Sequence, residues 1–92
     1  MTEEFLLQWS DGGSARVVAT DGTNATLHSS RQAAVGTPLR ASAAMAPGVV
    51  FRFKVRDCRR MDDGLFLLAG RWVDLPRTVR EQLIEIVRSS TA

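Results

Sequence analysis

Five basic side chains fall within nine positions, Arg52, Lys54, Arg56, Arg59 and Arg60, and they are the residues whose type and spacing best suit a chemistry. Guanidinium and ammonium groups donate strong charge-assisted hydrogen bonds to carboxylate or phosphate oxygens. The chemistry they offer is therefore the capture of an anion or of an acidic partner surface. Arg52, Lys54 and Arg56 alternate with Val49, Phe51, Phe53 and Val55. In an extended chain successive side chains point to opposite faces, so the apolar set faces a core while the basic set forms an outward row. Arg59 and Arg60 extend that row if the register shifts. A second reading stands beside the first: an outward strand face has to be charged to stay in water, and exposed Lys and Arg also discourage edge pairing.

Other chemistries find less to work with. His28 has no second histidine, cysteine pair or carboxylate at ligand spacing, and a metal site needs three or four ligands. It reads as a strand-end histidine. Ser10, Ser14, Ser29, Ser30 and Ser42 lie in no Gly-x-Ser-x-Gly frame. Gly12-Gly13 and Asp21-Gly22 open no helix and so are turns, not phosphate cradles. Cys58 is the one cysteine, which leaves it an unpaired thiol. No catalytic residue, cofactor fingerprint or metal cluster emerges, and a non-enzymatic chain is expected. The two tryptophans are large enough to anchor a core or an interface. Trp72 is expected in the core where a strand meets a helix. Trp9, near the chain start, is equally well placed for the core or for a partner-contact surface.

The elements that must position these residues follow from periodicity and turn formers. Residues 5–9, 15–20 and 25–28 are short apolar or alternating runs, separated by Ser10-Asp11-Gly12-Gly13 and Asp21-Gly22-Thr23-Asn24. They are predicted as three strands. Residues 29–35 are closed by Gly36 and Pro38 and are expected to be loop or a single turn. Residues 39–45 are Ala-rich but lack a 3.6-residue period, and a strand is predicted there as a partner for its neighbours. Residues 49–61 make the longest strand, with a bulge expected at Asp57-Cys58 where alternation falters. Asp62-Asp63-Gly64 is a hairpin turn leading into residues 65–73, apolar on both faces up to Gly70-Arg71. A helix then begins between 76 and 79. Pro76 suits its first turn, and Thr78 with Glu81 fits a capping box. Val79, Leu83, Ile86 and Val87 form its apolar stripe, and residues 89–92 are expected to fray.

Composition sets the frame. The 92 residues suffice for one core, expected as a single domain over 1–92 with strands across about 4–75 and the helix across about 76–89. An apolar fraction of 45% with 24% charged residues is that of a folding domain rather than a disordered chain. The net charge of +2 conceals an excess of acid in residues 1–48 and of base in 49–92. No apolar run approaches the roughly 20 residues that span a bilayer, and Met1-Thr2-Glu3-Glu4 is acidic where a signal peptide is basic. No membrane insertion and a cytoplasmic location are expected. Phe51 and Phe53 point away from the outward arginines, so the aromatic interleaving used for nucleic acid is missing and no nucleic-acid partner is expected.

Short strands broken by Gly/Asp turns and followed by one helix describe a small antiparallel barrel, a mainly β fold. Three segments carry a closer likeness: Val17-Val18 through Leu27 with Gly36 following, the long strand from Val49 to Arg60, and Gly64-Leu65-Phe66-Leu67-Leu68-Ala69-Gly70-Arg71-Trp72-Val73-Asp74-Leu75-Pro76. Over about residues 15–87 the chain resembles the PilZ domain family of bacteria. The resemblance implies a six-stranded barrel with a C-terminal helix. Members that bind cyclic di-GMP carry Arg-x-x-x-Arg before the first barrel strand and Asp/Asn-x-Ser-x-x-Gly on a following one. Here no arginine precedes Arg16, and Ala19, Asp21 and Asn24 occupy the Asp, Ser and Gly places of the second motif. What is implied is a divergent member that lacks both motifs and acts through a protein partner, as a signalling adaptor in a regulatory or motility pathway. The alternative is a cyclic di-GMP receptor using other arginines, Arg16, Arg31, Arg59 or Arg71.

Overall fold

Along most of the strand residues buried side chains alternate with more exposed ones, and that alternation decides which residues become interior. The structure, a computed structural model, describes residues 4–90. Six strands, β1 (Phe5–Trp9), β2 (Ser14–Thr20), β3 (Asn24–Ser29), β4 (Pro38–Ser42), β5 (Phe51–Arg60) and β6 (Phe66–Val73), precede one helix, α1 (Arg77–Ser90). All neighbours are antiparallel, and the order β1-β2-β3-β6-β5-β4 closes into a barrel. The mainly β barrel with a C-terminal helix is the expected fold.

Phe5, Leu7, Val17, Leu27, Phe51, Phe53, Val55 and Leu68 fill the interior. Phe5 meets Phe51 edge-on at 5.5 Å, and Trp72 meets Phe51 at 5.9 Å and Phe53 at 5.2 Å. Such contacts add about 0.5–1.5 kcal/mol each beyond area burial. Gly70 lies beside them. A Cβ there would press into the Lys54 carbonyl oxygen and the Phe53 ring, so only glycine lets β5 and β6 approach at this point.

One end of the barrel gathers the β2–β3 turn, the β4–β5 connection and α1. Val79, Leu83 and Val87 of the helix are buried there with Ala43, Ala46 and Leu75, so the expected apolar stripe does close the core. Gln82 donates from Nε2 to the Met45 carbonyl at 3.2 Å.

Several boundaries differ from expectation. β4 stops at Ser42, its last residue paired with β1, and the chain then turns through Ala43–Gly48 with Ala46 N–H donating to the Ala43 carbonyl. The bulge is at Arg56, between the pairs Val55–Gly70 and Asp57–Ala69, one residue earlier than the sequence indicated. Its effect is to return Cys58 to the core side and Asp57 and Arg59 to the outside. The capping box does not form. Arg80 N–H donates to the Pro76 carbonyl, which puts Thr78 inside the helix, and Glu81 accepts from Arg77 Nε at 3.2 Å. The connection into the helix passes through Asp74 at φ 54°, a left-handed conformation that Asp tolerates better than most residues. Helix α1 runs through Ser90; the rest of the fraying expected at 89–92 lies outside the described residues, as does the sequence before Glu4.

Candidate partner-binding face

Strand β5 carries Phe51, Phe53 and Val55 inward and leaves Arg52, Lys54 and Arg56 exposed. Alternate side chains on a strand stand about 6.8 Å apart, so the three cations form a comb along the outer wall. Neighbouring strands add to it. Arg40 of β4, itself flanked by inward Leu39 and Ala41, pairs directly across from Arg52. Arg71 of β6 pairs directly across from Lys54. Directly opposed side chains have Cβ atoms about 4.5–5.5 Å apart, and like charges so placed are destabilising by roughly 0.2–1 kcal/mol.

Carboxylates do not relieve this crowding. The described ion pairs employ Arg16 with Glu4, Arg31 with Asp11, Arg59 with Asp57 and Arg77 with Glu81. Among the described residues, Arg40, Arg52, Lys54, Arg56 and Arg71 have no such partner. Arg56, pushed out by the bulge, lines a shallow groove of about 450 Å3 with Asp21, Asn24, Thr26 and Ala69. Asp21 at the edge of that groove accepts from the backbone N–H groups of Asn24 at 2.7 Å and Thr23 at 2.9 Å. These bonds, the Asn24 one foremost, hold its carboxyl below the ordinary value of 3.8.

The five-residue row expected on β5 is thus only partly one surface. Arg59 shares the outer side but is turned to Asp57 at 3.1 Å. Arg60, paired with Phe66, is in phase with Cys58 on the opposite side of the strand. Trp9 is not a contact surface: it is 4% exposed, and its Nε1 donates to the Oγ of the fully buried Ser29 at 3.0 Å. Nor do the alternative nucleotide contacts converge. Arg16 is held by Glu4 at 2.9 Å and by the Nδ1 of His28 at 3.1 Å. Arg31 is tied to the β1–β2 turn through Asp11 at 3.2 Å and the Gly12 carbonyl at 3.1 Å. Arg71 is on the basic face, four residues along β3 from the Arg16–His28 pair and one strand beyond it.

Arg40 escaped the sequence reading because its strand was expected to pair with its neighbours but the register that sets Arg40 opposite Arg52 was not. The signal available was the short Leu39-Arg40-Ala41 alternation beside a longer strand of the same pattern. No group of three His, Cys, Asp or Glu able to hold a metal occurs among the described residues. No described helix is long and apolar enough to cross a membrane. The chain matches no protein-family model, no curated protein and no solved structure. What the geometry defines is a class: a closed antiparallel six-stranded barrel with a C-terminal helix and one un-neutralised basic wall.

Proposed function

We propose that this chain is a non-enzymatic, PilZ-like adaptor that works in the bacterial cytoplasm by binding an acidic protein surface, in a regulatory or motility pathway. The closed six-stranded barrel with its terminal helix is the architecture that the PilZ resemblance implies. The observation that carries the binding role is the pair of like-charged cross-strand contacts, Arg40–Arg52 and Lys54–Arg71, left without carboxylates on an exposed wall. A surface charged only for solubility would intersperse both signs, as the rest of this molecule does. Contact through strand edges, the other route open to a small β domain, has little to work with, because each strand has a neighbour on both sides and only short lengths of β1 and β5 stay unpaired at the β4 seam.

Capture from the native host tests the reading. The wild-type chain retains an acidic protein that the double charge reversal Arg52→Glu, Arg56→Glu loses, without any lowering of the melting temperature. Retention of the same proteins by the reversed chain refutes it. Cyclic di-GMP is expected to give no heat in titration calorimetry. Binding tighter than about 10 µM, near −7 kcal/mol, would replace the adaptor by a nucleotide receptor.

A further inference from the structure

Resting on the basic wall as the partner site, we infer that the partner segment it takes is an extended acidic strand whose carboxylates recur at every second residue for three positions. The cations of β5 are spaced as alternate residues of an extended chain. A segment laid along β5 therefore keeps step with Arg52 and Lys54 and shares the right-handed twist of the strand beneath it, and the bulge presents Arg56 outward at the end of that run. A helix, whose side-chain rows repeat about every 5.4 Å, drifts about 3 Å out of step across the same three positions.

The flanking strands sharpen the match. The first carboxylate is gripped from two sides by Arg40 and Arg52, and the second by Lys54 and Arg71. Each like-charged pair becomes favourable once an anion stands between its members. The third carboxylate meets Arg56 at the mouth of its groove, where Asn24 and Thr26 offer polar groups. Phe51, Phe53 and Trp72 are all buried, which leaves this wall without the stacking platforms a single-stranded nucleic acid would use.

Two fluorescent peptides of identical composition test the inference against the full chain by anisotropy at low salt. In one, three Asp alternate with Ser; in the other, the three Asp are contiguous. The alternating peptide binds more tightly, and the double substitution Arg40→Gln, Arg71→Gln lowers its affinity roughly threefold to tenfold, towards that of the contiguous peptide. Equal affinity for the two peptides, or no binding of either, overturns the spacing claim. An oligothymidylate of equal charge binding more tightly than the alternating peptide overturns the choice of a peptide. The charge reversal Arg52→Glu, Arg56→Glu separates this from the wider reading. If it abolishes binding of two equally bound peptides, the basic wall stands and only the spacing falls; if peptide binding survives it, the wall itself is refuted.

Discussion

The two outer walls of this barrel treat their arginines in opposite ways. On the β1–β2–β3 side Arg16 is ringed by Glu4 and His28, and Arg31 braces the β1–β2 turn through Asp11 and a backbone carbonyl. On the β4–β5–β6 side Arg40, Arg52, Lys54, Arg56 and Arg71 stand exposed, two pairs of them directly opposed, with no carboxylate bridging them among the described residues. Arginines of the first kind are part of the fold's own bonding. Those of the second kind add electrostatic strain to the fold, which is the arrangement expected where an outside anion completes the set. Both walls rest on the same interior, so their difference lies in surface charge and not in packing.

The largest expected effect comes from disturbing the support of the basic wall. Gly70→Ala forces a methyl group against the Lys54 carbonyl and the Phe53 ring, and costs about 1–3 kcal/mol, read as a lower urea midpoint. If Gly70→Ala is neutral, β5 and β6 are not held as closely as described. A smaller effect of opposite character is expected on the other wall. Arg16→Gln removes a half-exposed ion pair and a hydrogen bond to His28, and lowers stability by up to about 1 kcal/mol while leaving partner capture intact. Loss of capture in that variant would erase the distinction between the walls.

The smallest effect is at Asp21. Because its carboxyl is held below the usual 3.8, its contribution to stability is complete at neutral pH and disappears as pH falls through the lowered value. Asp21→Asn keeps an oxygen able to accept from Asn24 and Thr23 but cannot titrate. Thermal melts below pH 3.8 should therefore cost the wild type more than Asp21→Asn, relative to neutral pH; parallel curves would refute the assignment.

The long β5 was legible because three apolar and three basic residues alternate without interruption, a pattern only a half-buried strand satisfies. The helix was legible from its stripe, Val79, Leu83 and Val87. The bulge was placed one residue late because a bulged residue adds no apolar signal of its own: Arg56 is as exposed as the residues on either side of a regular outward row. The capping box failed for a similar reason, since Thr78 and Glu81 have the right spacing but Pro76 starts the helix earlier. The candidate site was half visible. Arg52, Lys54 and Arg56 share one strand and one period, whereas Arg40 and Arg71 join them only through cross-strand register, which no single segment records. Trp9 was ambiguous in sequence because its partner, Ser29, is twenty positions away.

The central claim, that this wall holds mutually repelling cations awaiting an anion, is tested most directly by the coupling energy of a double-mutant cycle on Arg40→Gln and Arg52→Gln. The account predicts that each single substitution stabilises the chain, that the pair is coupled repulsively by about 0.2–1 kcal/mol, and that the coupling fades as salt is raised. A coupling that is zero or attractive at low salt would contradict it.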